Sequence, residues 1–284
     1  MKSAMRLRKA GPGKKAFILL VQCGLTAYAL LILYPLFHMV MSSLKSPRDI
    51  MLDAFSLPQR VSWDNYALVW SGKGFGGYFL NSLLITGGSM LLVVLLGSMA
   101  AFGLARYKFR GNTLLSLLFL SGLMLPLKAA VIPLFQIVKG MGLMDNPLSL
   151  LLVFTAMGLP STVFILCGFM KTIPSSLEQA ARMDGCNDLR IYRQIILPMS
   201  APSIALVTIY NAVPIWNDFF FPLVFIQSDR LKTLPVGLSS FIGQHATQWD
   251  LLFTGLSIAI LPMLALYLAM SRYFIQGMTA GAVK

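Results

Sequence analysis

Acidic residues are scarce in this chain: ten Asp and Glu stand against 23 Lys and Arg in 284 residues. Charged residues of both signs make up only 12% of the sequence, against about 25% in a soluble globular protein. Apolar residues take their place, at 57%, and the mean hydropathy is +0.74. Soluble, disordered and fibrous classes are excluded by that balance. Cysteine is also rare. Cys23, Cys167 and Cys186 form no even framework and no Cys-x-x-Cys pair, so neither disulfides nor a zinc site is expected. His38 and His245 lie far apart and no His-Glu-x-x-His occurs. Structural roles are the default for both, and with no Ser/His/Asp cluster an intramembrane enzyme is the least favoured class. A Gly-x-x-x-x-Gly-Lys-Ser/Thr phosphate loop is missing too: Gly13-Lys14 and Gly72-Lys73 lack the spacing and the following hydroxyl residue. The chain is not expected to bind a nucleotide.

What the sequence does contain is long apolar runs. A helix that crosses a bilayer needs about 20 mostly apolar residues. Six stretches meet that length, at 16–41, 78–105, 113–138, 148–170, 204–226 and 251–275. They predict an all-α integral membrane protein with one membrane domain, 16–275, a short N-terminal segment, 1–15, and a tail, 276–284. The first stretch follows basic residues, and Ala27-Tyr28-Ala29 imitates a cleavage site. Its apolar run continues past that point, longer than the about 7–15 residues of a signal h-region, so it is read as an uncleaved helix. The third contains Pro126, Lys128 and Pro133 and is expected to be kinked or unwound. The fifth contains Pro214, Asn217, Asp218 and Pro222. Loops 42–77 and 227–250 are too short for a substantial soluble domain.

Basic residues fix the expected orientation. With both ends in the cytoplasm, the inner segments hold fifteen Lys and Arg and the outer ones seven. That asymmetry follows the positive-inside rule. It also accounts for most of the net charge of +13 without nucleic acid.

The segment 174–198, on the expected cytoplasmic side, is the most informative. Pro174, Ser175 and Ser176 suit a helix start. Glu178 lies in the first turn, where a carboxylate complements the helix dipole. Ala180 and Ala181 leave little bulk on one face, and Gly185 can end the helix in a left-handed conformation. A second short helix is predicted from Asp188 to Ile196, with Leu189, Tyr192, Ile195 and Ile196 at helical spacing. Two short helices with small exposed residues suit docking into a partner's groove or lying on lipid.

This segment resembles the EAA loop of ABC importer permeases: Glu-Ala-Ala, three residues, Gly, nine residues, Ile, any residue, Leu-Pro. Ala180, Ala181, Gly185, Ile195, Leu197 and Pro198 stand at matching positions, while the first is Gln179, preceded by Glu178. The likeness covers most of the chain and is strongest to the smaller permease subunit of maltose-type carbohydrate-uptake systems. Its other pieces include Ala105-Arg106-Tyr107-Lys108-Phe109-Arg110-Gly111, Trp216-Asn217-Asp218-Phe219 and Thr233-Leu234-Pro235-Val236-Gly237. The resemblance implies a type I ABC importer transmembrane domain of six helices. It further implies a second permease, an ATPase dimer that binds ATP and Mg, and an extracytoplasmic binding protein that delivers a sugar or oligosaccharide. This chain itself then carries no cofactor. Residues Glu178 to Ala181, Asp184, Gly185, Ile195, Leu197 and Pro198 are implied to couple to the ATPase. The tail, with Gly277, Thr279 and Gly281, is implied to reach the same partner.

Polar residues at membrane depth complete the expectations. Trp216, Asn217 and Asp218 offer an indole, an amide and a carboxylate, a set that suits a sugar. They also suit a structural role, satisfying backbone groups freed by Pro214 and Pro222. Lys128 is expected to pack or gate. Asn81 and Gln136 are weaker cavity candidates. Import of a polyol or glycerol phosphate is the alternative within the family, but a phosphate calls for a basic cluster. An ion-coupled secondary transporter is less favoured, because it calls for repeats and several ionisable groups at the midplane.

Overall fold

Residues 12–243 and 247–282 are described by the computed structural model. The expectations for His245, Lys284 and most of segment 1–15 lie outside them. Among the described residues the regular elements are helices, with one isolated bridge between Ile242 and Thr247. The chain divides into two compact units, Met1–Val69 with Phe241–Ile258, and Trp70–Ser240 with Ala259–Lys284.

The first unit opens with α1, Pro12–Ser43. No charged residue occurs between Lys15 and Lys45, and Phe17, Leu20, Leu31 and Phe37 leave exposed apolar surface all round the helix. Such a helix is made for an apolar surrounding. Ser46 caps α2, Pro47–Leu52, by accepting from Asp49 N. A short α3, Asp64–Ala67, runs into a π-helical turn, Leu68–Gly72. Lys45, which the sequence places in a loop, is fully buried. Its ammonium donates to Asp53 O at 3.1 Å, Ala54 O at 3.1 Å and Ser56 Oγ at 3.3 Å. Three donors meet three acceptors, which is what makes the burial tolerable. His38 Nε2 also donates to Ala54 O, in keeping with a structural role.

The second unit is built on two long helices, α4, Phe75–Arg106, and, two short helices later, α7, Pro147–Met170. A Cβ added at Gly97 would sit 2.5 Å from Thr162 Cγ2, and one at Gly158 would sit 2.8 Å from Val93 Cγ2. The helices therefore meet through glycine, the close approach that holds helices together where water supplies no drive. Between them come α5, Asn112–Gly122, a 3₁₀ turn, Leu127–Ala130, and α6, Val131–Gly140. The expected unwinding around Pro126 and Lys128 is present. Helices of 11 and 10 residues replace one continuous third span.

After α7 come α8, Ser176–Met183, and α9, Asp188–Met199, then α10, Ala201–Trp216. The fifth expected span also departs from a single helix. It stops at Trp216 and resumes as α11, Phe220–Phe225. Within α10, Asn211 Nδ2 donates to Thr162 Oγ1 at 3.1 Å while Ser161 Oγ donates to Asn211 Oδ1 at 3.1 Å. This buried triad joins α10 to α7 by hydrogen bonds. A short α12, Leu234–Ser239, is tied to α4 by Leu234 N donating to Ser82 Oγ at 2.8 Å. The amide of Asn81, a cavity candidate, is spent on Arg230 O and Lys232 O. Asp145, at φ 56°, accepts from Gln227 N and from the amide and hydroxyl of Ser228. The Ser228 hydroxyl, then these amides, hold its carboxyl below the usual carboxylate range.

The last helix, α13, is Trp249–Ala282. The helix continues through 276–282, so this part of the expected tail is helical. No proline interrupts it after Pro262, and Gly277 and Gly281 only weaken a helix, by about 1 kcal/mol each relative to Ala. Four helices among the described residues are long and apolar enough to cross a membrane: Ala16–Ser43, Phe75–Arg106, Pro147–Met170 and Trp249–Ser271. The third and fifth sequence stretches are interrupted and do not join that set.

Candidate functional site

The loop after α7 forms two short helices, α8 and α9, as the sequence predicts. Gly185 joins them at φ 78°, with Gly185 N bonded to Arg182 O and Cys186 N to Ala181 O. This is a left-handed helix end, for which glycine has no steric penalty. Asn187 starts α9 by accepting from Arg190 N at 2.9 Å. The second helix, predicted over Asp188–Ile196, runs on to Met199. A π-helical turn, Tyr192–Ile196, accommodates the proline, with Leu197 N reaching back to Tyr192 O. The chain then bends by 73° into α10.

Which side chains face inward corrects one detail of the sequence reading. Ala180 and Ala181 do not share a face: Ala180 is exposed and Ala181 is buried, as the 100° step of a helix requires. Ala181 joins the core of α4 and α7 with Ile191, Tyr192 and Ile196, and Ile195 and Leu197 pack at its edge. Gln179, Asp184, Gly185 and Pro198 are exposed. So are three large apolar side chains, Leu177 at 40%, Met183 at 88% and Leu189 at 60%. The loop thus keeps one apolar face in the core and offers a second to the outside.

Glu178 is turned inward. Its Oε1 lies 2.7 Å from Arg106 Nε at the end of α4, and both side chains are largely buried. Arg106 also donates from Nη2 to Ile173 O at 3.0 Å. Tyr192 Oη bonds Ser98 Oγ at 2.7 Å and its ring meets Phe102 at 5.3 Å. Asp188 pairs with Arg182 at 2.7 Å. Partial burial, and then the hydrogen bond to Asp188, push the Tyr107 hydroxyl above its ordinary pKa. Glu178 stands in the first turn of α8, as the helix dipole favours. Its partner, 72 positions upstream, leaves no local signal.

At the break between α10 and α11 the three candidate pathway residues are largely occupied. Trp216 is 2% exposed, donates from Nε1 to Ala259 O at 3.0 Å and meets Phe79 edge-on. Its ring offers no open face for stacking. Asn217 Nδ2 donates to Val213 O, and Asp218 Oδ1 accepts from Phe221 N, each at 2.9 Å. Lys128 Nζ stands 6.0 Å from the centre of the Phe220 ring. The geometry is that of a capped helix break. Asp218→Asn is expected to keep the cap, since its amide oxygen can still accept. Asp218→Ala is expected to cost roughly 0.5–2 kcal/mol, measured by thermal unfolding in detergent. Equal stability of both variants would remove the capping role.

The comparisons agree with this architecture. Residues 93–280 match the family model described as "Binding-protein-dependent transport system inner membrane component". The diacetylchitobiose uptake system permease protein NgcG of Streptomyces coelicolor is 31% identical over 98% of this chain and 92% of its own. The melibiose/raffinose/stachyose import permease protein MelC of Bacillus subtilis is 35% identical over 88% of this chain and 91% of its own. Among solved structures, a chain of a bacterial ABC transporter involved in import of the acidic polysaccharide alginate superposes with a TM-score of 0.79 at 23% identity. That match covers 93% of this chain and 99% of the other. With its helical bundle, its two-helix loop and these relatives together, the chain belongs to the inner membrane components of binding-protein-dependent transport systems.

Proposed function

We propose that this chain is one of two permease subunits of an ATP-driven importer for a sugar or oligosaccharide. An extracytoplasmic binding protein delivers the sugar, and an ATPase dimer, which holds ATP and Mg, supplies the energy on the cytoplasmic side. The chain crosses the membrane six times with both ends inside. Four of these crossings are continuous helices and two are interrupted, at 123–130 and 217–219. The excess of fifteen inner over seven outer basic residues supports the orientation. Relatives named for diacetylchitobiose and for melibiose, raffinose and stachyose support the substrate class.

The observation that carries the coupling role is the exposed apolar side of the loop. Leu177, Met183 and Leu189 project from a segment whose other face is anchored in the core. Such residues suit insertion into a groove of the ATPase, where buried apolar area supplies the affinity. The tail from Gly277 onward is assigned a supporting contact with the same partner.

One experiment tests both levels. Proteoliposomes holding the full importer are given ATP inside and radiolabelled diacetylchitobiose, raffinose or melibiose with the binding protein outside. ATP-dependent uptake of at least one sugar is expected. Leu177→Asp with Met183→Asp is expected to lower co-purification of the ATPase by tenfold or more, since each lost apolar contact is worth about 1.5–3 kcal/mol. Full retention of the ATPase by that variant would show that the loop is not the docking site.

A further inference from the structure

Ser98, Phe102 and Arg106 stand four residues apart on α4, so they form one ridge about 12 Å long on a single face. Each meets the loop. Ser98 and Phe102 hold Tyr192 of α9, and Arg106 holds Glu178 of α8. Both arms of the loop are therefore fastened to the same ridge, on either side of the left-handed turn at Gly185. The first arm has a further tie, from Arg106 to Ile173 O.

The ion pair at the end of the ridge calls for an explanation. A buried pair of this kind is a poor choice for stability alone, because desolvating two charges offsets most of their attraction. Apolar side chains of similar size would hold the helices together at least as well. What the guanidinium adds is two ties at once, one nitrogen beside the Glu178 carboxylate and another donating to the Ile173 carbonyl. Packing between apolar surfaces lets α8 roll or slide. A guanidinium paired with the carboxylate at 2.7 Å and hydrogen-bonded through Nη2 to the Ile173 carbonyl does not.

We propose that the Ser98–Phe102–Arg106 ridge is a brace that makes the loop and α4 move as one body, with Arg106 and Glu178 as positioning residues. This rests on the reading of the loop as the ATPase docking element. The displacement imposed at Met183 and its neighbours then passes directly into a 32-residue helix, without being lost in a flexible loop. It also gives Glu178 a role that does not involve the ATPase, because the carboxylate is turned away from the docking side.

The test is a distance measured inside this chain. Spin labels are placed at Met99→Cys on α4 and Ser176→Cys on α8, both exposed positions off the ridge. Cys23→Ser, Cys167→Ala and Cys186→Ser remove the native thiols. The labelled chain is assembled with a cysteine-free companion permease and a hydrolysis-deficient ATPase, and pulsed electron–electron resonance is recorded with and without ATP. The braced chain is expected to give one distance, unchanged by ATP. Arg106→Met with Glu178→Leu leaves no orphaned charge, and it is expected to assemble normally yet show a distance shift on ATP binding. Arg106→Lys keeps the charge and loses the second nitrogen. It is expected to broaden the distance distribution, and it serves if the paired variant is not recovered. A shift in the unaltered chain, or an unchanged single distance in the altered ones, overturns the brace. ATPase retention is scored separately on the same samples. Failure of the unaltered chain to retain ATPase overturns the docking reading, and the brace with it.

Discussion

Replacing Gly185 with valine is expected to cut ATP-driven uptake by an order of magnitude or more, at an unchanged membrane level of the chain. The reason is conformational and not steric crowding. A Cβ at this position meets nothing within 4 Å, but the backbone sits at φ 78°. An ordinary L-residue pays roughly 1–2 kcal/mol in the left-handed region, and a β-branched one is a genuine outlier there. Since about 1.4 kcal/mol is a factor of ten in population, most molecules would hold α8 and α9 in another mutual orientation. The control is Gly185→Asn, because asparagine tolerates this region. It is expected to retain most of the uptake. Loss of uptake in the asparagine variant as severe as in the valine variant would mean that the site needs open space, not a left-handed backbone.

Gly97→Ala is expected to destabilise the packing of α4 on α7 strongly. The new Cβ would lie 2.5 Å from Thr162 Cγ2 and 3.2 Å from Thr162 Cβ, within the α4–α7 contact. Overpacking of this kind costs typically 1–3 kcal/mol, because the helices separate or a side chain leaves its rotamer. Thr162 has little freedom to yield, since its hydroxyl accepts from Asn211 in the buried triad. The companion change Thr162→Ser removes the clashing methyl and keeps that hydroxyl. Thermal stability in detergent is therefore expected to fall in Gly97→Ala and to recover in large part in the double variant. Strictly additive losses would show that the two residues do not meet as described.

How much of this was legible in the sequence depends on whether the determining residues were neighbours. α7 was expected at 148–170 and occupies Pro147–Met170, because its apolar run has abrupt polar ends. Pro126 announced the break in the third stretch through a purely local effect, the missing N–H. Asn217 and Asp218 divided the fifth stretch as well, yet the surrounding Phe, Val and Leu residues made the whole read as one span. The loop motif gave the two helices and the glycine turn. It did not give the inward turn of Glu178, which is decided by Arg106 on another helix. Trp216 illustrates the same limit. Its amphipathic chemistry suits a sugar, but Phe79 and Ala259 O, both distant in sequence, already satisfy ring and N–H.

The burial of Lys45 bears on how the chain reads to a chemical reagent. Under the proposed orientation, Lys45, Lys73 and Lys139 all lie on the side away from the cytoplasm. A membrane-impermeant amine reagent applied there meets exposed ammonium groups at Lys73 and Lys139. At Lys45 it meets none, because the nitrogen is enclosed and its hydrogens are engaged with Asp53, Ala54 and Ser56. In a footprint of the intact cell that position is silent and mimics a residue on the opposite side of the membrane. Its label returns only once the 45–56 loop opens, so the reactivity of this one amine is a clock for local unfolding of the segment beside α1.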